Sequence, residues 1–348
     1  MAGGTDASDI VARRVGHVVN EQDAPAERNV SECEVCCQPG QLSVHTVREM
    51  MYGTRKTFEY GECPRCGCLT LLTVPPDLGE YYPDDYYSLA APPPPDEGSF
   101  VRGIKAVRAA VALRLPAATT DRLVTAGRLP RIFRWTAGLG LSRHSPVADI
   151  GCGGGEILQI FARNGFSRLE GFDPYLPEDK ALGAHIQLHR MGLDDVPGGF
   201  DLIMAHHALE HMPDPRGTMQ ALADRLAPRG AMLIRTPVAD SWAWRHYGVD
   251  WVQLDAPRHL YLHSRTSLAE LAQMHGFRVA SVEDDSTAFQ YWASECNRRG
   301  LPFAAPSGDF SLGRRAYSRR MLAGYERRAR AANAAGRGDQ FAAVLVRA

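Results

Sequence analysis

The chain has 348 residues, of which 45% are hydrophobic and 23% charged, with a formal net charge of −1. These values exclude collagen, a coiled-coil rod and wholesale disorder, and leave room for one large domain plus a small one. No apolar run reaches the ~18 residues needed to cross a bilayer, and no apolar stretch precedes a small-residue cleavage site at the N-terminus, so a cytoplasmic protein is expected.

Residues 1–30 are polar, without a sustained apolar period, and read as a flexible arm. Six of the eight cysteines lie between Cys33 and Cys68. Cys33 and Cys36 form one C-x2-C knuckle, and Cys63 and Cys66 form another. Four thiolates in that arrangement suit a structural, tetrahedral Zn²⁺, which makes residues 31–75 a small zinc-ribbon-like module. A redox dithiol pair or unmetallated cysteines are the competing readings, and the neighbouring Cys37 and Cys68 leave a shift of one ligand open. A closed four-thiolate site has no vacant coordination position, so such a metal stabilises a fold without doing chemistry.

Residues 76–100 combine Tyr81, Tyr82, Tyr86 and Tyr87 with a run of four prolines, Pro92 to Pro95, and read as a stiff linker whose tyrosines either line a cleft or pack between modules. Residues 101–348 form the large domain. Its first stretch, Phe100 to Leu141, is predicted helical, with Ile104, Val107, Val111 and Leu115 on one face that packs over a sheet edge. Arg102 to Arg143 carries nine cations against the single acid Asp121. Such a segment suits phosphates, an anionic membrane surface or a nucleotide-linked substrate, or is a solvated helix face.

Next, the short apolar strand Val147–Ile150 runs into alternating Gly151, Gly153 and Gly155, and a helix follows over Ile157–Arg163. Glycines at this spacing permit positive φ and close approach of bare backbone to a ligand, as they also do in dinucleotide loops. A second strand, Leu169–Phe172, ends in Asp173, about 20 residues on, where a ribose diol would lie. Here the sequence resembles the class I S-adenosylmethionine (SAM)-dependent methyltransferases, from Val147 to Ala348. The resemblance implies an α/β, Rossmann-like, seven-stranded doubly wound sheet with one antiparallel hairpin strand. It also implies that Asp149, Gly151, Gly153 and Gly155 hold the methionine part and ribose of SAM, and that Asp173 holds the ribose hydroxyls. Later segments fall in the same order. Phe200–Ala205 is the fourth strand, Thr218–Leu226 a helix, Ala231–Arg235 the fifth strand, Gly276–Val279 opens the sixth and Gly338–Val346 is the seventh. The family often has an acid after the third strand for the adenine amino group. Here Gly192 stands there, so Asp194 from a shifted register or the backbone around Leu193 takes that role.

Methyl transfer from a sulfonium is an in-line displacement, so the protein must mainly position the acceptor and exclude water, with a base only where the acceptor needs one. His206, His207 and His211 follow the fourth strand, and histidine suits proton removal near neutral pH. His207 and His211 are the leading bases, with His206 against the methionine end of SAM. The run His207 to His211 also matches an H-x-x-E-H protease pattern, but it follows a strand and does not lie within a helix. Ubiquinone-type O-methyltransferases, which this segment resembles, include members with Glu-x-x-Glu-His and a divalent cation. Glu210 and His211 match that pattern and His207 departs from it. Further on, Trp242, Trp244 and Trp251 accompany an Asp255 to Tyr261 segment whose His259 contacts the acceptor or acts as base. The tryptophans either line a sugar or aromatic site or wedge the loop onto the body.

A four-cysteine module before this domain resembles the sugar C-methyltransferases of deoxysugar pathways, which usually continue into a further domain past the seventh strand, where this chain stops. The expected function is methyl transfer to a hydroxyl or activated carbon of a small molecule, such as a sugar, nucleotide-sugar or secondary metabolite. An RNA methyltransferase reading the nucleic acid through the zinc module is disfavoured by the few cations in residues 31–73 and a pI near 6.9. A non-catalytic SAM-binding or assembly subunit is the reading from another class. Residues 298–337, with ten arginines, are a basic helical insertion between the last two strands, open to peripheral membrane contact. Oligomeric state is not legible.

Overall fold

The computed structural model describes residues 31–82, 99–115, 117–305 and 309–348. The arm at 1–30 and the proline run of the linker lie outside them. Strands β1 (Ser43–Arg48) and β2 (Thr57–Glu62), between the two cysteine knuckles, and β3 (Leu69–Leu71), after the second, form an antiparallel meander. Its fourth strand comes from far along the chain, as Tyr261–Leu262 pairs antiparallel with Leu69 and Thr70. The small module therefore shares a sheet with the large domain. It also shares a core, since Val35, Tyr60, Leu69 and Leu71 belong to the same buried cluster as Ile150, Ile203 and Leu262.

Three helices follow: α1 (Ser99–Ala112), α2 (Ala117–Thr125) and α3 (Ile132–Trp135). The predicted packing face of α1 is inverted. Its side toward the domain carries Ala109 and Ala112, 1% and 0% exposed, while Phe100, Ile104, Val107 and Val111 point outward at 79%, 37%, 64% and 50% exposure. The reason lies in the partner surface. Gly165 approaches so closely that a Cβ there would stand 2.5 Å from that of Ala106, a spacing only small residues permit.

The larger sheet then unfolds in order: β4 (Val147–Ile150), α4 (Glu156–Arg163), β5 (Leu169–Phe172), β6 (Lys180–Leu182), β7 (Ile186–His189), β8 (Phe200–His206), α5 (Pro215–Arg225), β9 (Leu226–Pro237), α6 (Trp242–Tyr247), β10 (the Tyr261–Leu262 strand), α7 (Arg265–Met274), β11 (Phe277–Asp284), α8 (Phe289–Arg298), α9 (Ser311–Arg314), α10 (Arg319–Ala334) and β12 (Gln340–Arg347). The spatial order is β11-β12-β9-β8-β4-β5-β7-β6. The seven expected strands are present, with β12 antiparallel to both neighbours, and β6 adds an eighth at the edge by folding back on β7. Helix α5 starts three residues earlier than the sequence predicts, because Asp214 caps it through the Arg216 and Gly217 amides and Pro215 sets its first turn. Strand β9 also starts early, at Leu226, and its register with β8 shifts across the Pro228–Gly230 turn.

Helices cover both faces, so the central parallel strands are largely apolar. Ile150, Ile203, Ala205 and Ile234 bury on one side, and Val147, Leu202, Met204 and Leu233 on the other. The chain leaves β4 toward β5 on one side and places β8 on the other. That reversal opens a crevice beyond the carboxyl end of β4, where α/β sheets bind ligands.

Candidate functional site

The four expected cysteines converge. Cys33 Sγ lies 3.7 Å from Cys66 Sγ, Cys36 Sγ lies 3.8 Å from Cys63 Sγ, and all four are buried and unbridged. Sulfurs about 2.3 Å from a tetrahedral zinc lie about 3.8 Å from one another, so the residues fit that ion. The knuckles are alike in backbone, with Cys37 N–H donating to Cys33 O at 2.8 Å and Gly67 N–H to Cys63 O at 2.9 Å. Cys37 (φ 53) and Gly67 (φ 70) supply the left-handed residue that closes each turn. Cys37 and Cys68 stand outside the cluster of sulfurs.

At the carboxyl end of β4, Gly151, Gly153 and Gly155 have φ of 70, 49 and 80. A Cβ on Gly151 would stand 2.6 Å from Ala208 Cβ, so the turn and the end of β8 touch only through a glycine. Asp173 accepts from the Gly153 amide at 3.0 Å and the Tyr175 amide at 2.9 Å, which fixes the carboxyl and leaves a further lone pair on each oxygen. Gly171, which the sequence reading passed over, lets Cys152 pack against β5; a Cβ there would lie 2.7 Å from its sulfur.

Several buried polar atoms in this crevice have no hydrogen-bond partner: Asp149 Oδ1, both ring nitrogens of His206, and Trp135 Nε1. Trp135, at the end of α3, lies 6.5 Å from the His206 ring and carried no signal in the sequence. Unpaired buried groups cost free energy unless a ligand satisfies them. The glycine turn that a Cβ would fill and these orphaned atoms fit SAM. Burial holds His206 down at about 3, helped by the charges of Arg235 and His207, so it meets a ligand as neutral imidazole. Burial, then the charge of Asp173, pushes Asp149 up to about 8. Leu193 and Asp194 sit on a 3-10 turn after β7, with the Asp194 side chain exposed.

The Asp149 environment gives a pH prediction. A cation placed beside it draws off its proton, so SAM binding is expected to release one proton and tighten with pH, approaching tenfold per unit below pH 8. The raised folded-state value also means that ligand-free stability falls as pH rises from about 4 to 8. Calorimetry in two buffers of different ionisation enthalpy measures the proton directly; equal apparent enthalpies would sink the assignment. Asp149→Asn should bind without the pH slope.

Beyond β8, His207 adopts φ 52, unusual for a non-glycine residue. Its Nδ1 lies 3.0 Å from Glu210 Oε1, and Glu210 Oε2 accepts from Thr236 Oγ1 at 3.0 Å. Glu210 is fully buried. Burial alone would raise its carboxyl, but the hydrogen bond and charge of His207, with the charges of His259 and His211, bring it down to about 2. It is therefore an ionised acceptor that holds the His207 proton on Nδ1 and leaves a lone pair on Nε2. His211 Nδ1 lies 2.9 Å from Arg258 O and 3.1 Å from Tyr82 Oη. His259 Nδ1 lies 2.7 Å from Gln253 O. Since a carbonyl only accepts, both rings donate from Nδ1 and expose a lone pair on Nε2. Burial, then the charge of His259, lowers His211 to about 4. Glu210, His211 and His259 offer ligand atoms within 4.8 Å of one another, with both imidazoles backed by carbonyls as metal-binding histidines are.

The linker tyrosines divide. Tyr81 packs on Phe58, whereas Tyr82 reaches His211 and stacks on Tyr175 at 6.5 Å. Trp244 and Trp251 are buried and bond Glu62 and Asp339, so they wedge the loop onto the body. The sequence reading missed Arg258. Fully buried, it pairs with Asp255 at 2.6 Å and with Glu49 of the small module at 3.1 Å. Beside it, Tyr60 Oη donates to His259 O at 2.7 Å. The cysteine module thus clamps the backbone that carries His259.

Residues 124–282 match the family model described as a methyltransferase domain. The chain is similar to the ubiquinone biosynthesis O-methyltransferase of Pectobacterium carotovorum subsp. carotovorum, 29% identical over 133 residues, covering 32% of this chain and 52% of that one. The corresponding protein of Azoarcus sp. is 33% identical over 104 residues, covering 26% and 43%. The chain spans about half the length of the curated relatives it matches. Among solved structures, an S-adenosylmethionine dependent methyltransferase from Mesorhizobium loti is 17% identical with a TM-score of 0.37, covering 60% of this chain and 94% of that one. No helix among the described residues is long and apolar enough to cross a membrane.

Proposed function

We propose that this chain is a SAM-dependent methyltransferase acting on a hydroxyl, or an activated carbon, of a small molecule such as a sugar, nucleotide-sugar or secondary metabolite. The observation that carries the reading is the pair of buried Glu210 with half-buried His207 at the end of β8, joined to the glycine turn through the Gly151–Ala208 contact. SAM, when bound, supplies a methyl group on a sulfonium. Asp173 holds ribose hydroxyls, the glycine turn accepts the methionine and ribose part, and His206 and Asp149 meet the amino-acid end. Leu193 and Asp194 face adenine.

His207 takes the acceptor proton on Nε2, and Glu210 stabilises the imidazolium that forms. His211 and His259 present Nε2 lone pairs toward the acceptor, where they hold its second oxygen or a divalent cation. Cys33, Cys36, Cys63 and Cys66 hold Zn²⁺ with no open position, so that ion serves the fold. The expected result is that His207→Ala lowers kcat by about 10²–10⁴. SAM affinity, read by calorimetry, stays unchanged there and is lost in Asp173→Ala. Full turnover by His207→Ala would remove it as base, and binding by Asp173→Ala would undo the cofactor placement. Turnover that falls in His211→Asn and recovers with added Mg²⁺ would favour the cation reading.

A further inference from the structure

A cavity of about 770 Å³ lies between α8, α9 and α10, outside the histidine site. Its walls include Phe289, Trp292, Phe310 and Leu322, with Arg314 and Arg319 beside them. The size is that of a site for a drug-sized ligand, typically 300–1,000 Å³. Its position is set by the sheet. Strand β11 ends at Asp284, opposite the end of β9, and Thr287 opens the cavity lining three residues later. Between them, Asp285 accepts from Arg235 Nε at 2.6 Å, and Arg235 O accepts from the His207 amide at 2.7 Å. The cavity therefore lies along the same carboxyl edge of the sheet as His207.

Its charges are unequally satisfied. Asp309 takes two bonds from Ser311, its amide at 2.8 Å and its hydroxyl at 2.6 Å. Glu326 accepts from the Ala288 amide at 3.1 Å and pairs with Arg330 at 3.6 Å. The guanidinium groups of Arg314 and Arg319 have no ion pair or hydrogen bond among the described residues. Aromatic walls with two unengaged guanidinium groups suit a planar apolar body that ends in an anionic oxygen group, which such forks bind bidentately.

We infer that this cavity binds the acceptor's apolar ring system, with Arg314 and Arg319 on a carboxylate or phosphate that the acceptor carries. The inference rests on the methyltransferase reading for the word acceptor, while the binding itself does not. It names an amphiphilic anion in place of an uncharged sugar, and assigns the basic insertion a recognition role.

Calorimetry on the full chain with 2-naphthoate, 2-naphthyl phosphate and neutral 2-naphthalenemethanol tests it. The anions are expected to bind at least tenfold more tightly than the alcohol, the tighter of the two identifying the anionic group. Arg314→Ala/Arg319→Ala, both exposed positions, should erase that difference and leave SAM affinity unchanged. Equal binding of all three probes, no binding at millimolar concentration, or an unaltered double variant would overturn it. Anion binding by a chain that fails to bind SAM would overturn the methyltransferase reading and leave the cavity assignment standing.

Discussion

If the four clustered thiols hold zinc as proposed, removing one of them, as in Cys63→Ser, is expected to abolish turnover although no cysteine of the cluster touches the reacting groups. Structural zinc binds with apparent free energies of about 10–16 kcal/mol, and a short module depends on that term for its fold. Here the loss would not stay local. Leu71 N–H donates to Leu260 O at 2.9 Å, β3 pairs with β10, and Ser264 Oγ bonds Cys66 O, so the knuckles and the His259 segment are one hydrogen-bonded unit. Hydrogen exchange should show lost protection over residues 43–71 and again over 255–264, with Tm lowered by roughly 10 °C or more. A metal assay with near-zero zinc in active protein, or a Tm indifferent to a strong chelator, would defeat the assignment.

Arg258→Ala should cost about 3–5 kcal/mol of stability, because it strands two carboxylates in a dry interface. Glu49 is completely buried and also accepts from the amides of Tyr52 at 3.0 Å and Thr54 at 2.9 Å, so it cannot turn outward without breaking the β1–β2 connection. Burial alone would raise Asp255, and the neighbouring Arg258 more than offsets this and lowers it. A depressed carboxyl contributes stability above its unfolded value, near 4, and that contribution is lost as pH falls through the lower folded value. Without the guanidinium the sign reverses, since burial then holds the proton on. Urea titrations should therefore find the variant losing stability more steeply than wild type as pH rises from 5 to 8. Arg258→Lys should recover part of the loss, as a point charge replaces a two-pronged fork. A variant within 1 kcal/mol of wild type at every pH would show that the clamp is not the joint between module and domain.

These two effects share a cause that matters for function. His259 is held by a carbonyl bond from its own loop, and that loop is pinned by Tyr60, Arg258 and β3 of the small module. The module is thus part of the wall that carries His211 and His259, in keeping with Tyr82, which reaches His211 directly after it.

Much of the architecture is legible in the chain itself. The β4 turn needs three positive-φ glycines, and only a strand–turn–helix puts them there; the two C-x2-C pairs can close on one ion with little help from the rest. Period and punctuation also marked β4, β5, β8, β9, β11 and β12, but not β6, whose three residues, two of them exposed, bury too little to leave an apolar signature, nor the two-residue β10. What the sequence could not reveal depends on distant partners. The face of α1 was misread because an alanine surface was required by Gly165, more than fifty residues away. Arg258 looked like a loop cation until Glu49 closed on it. Of three histidines equal in sequence, only the positions of Glu210, Arg258 O and Gln253 O distinguished which ring nitrogen keeps its proton. Local conformation follows from covalent geometry and near neighbours, whereas burial, pairing and protonation are set by groups that meet only when the chain has folded.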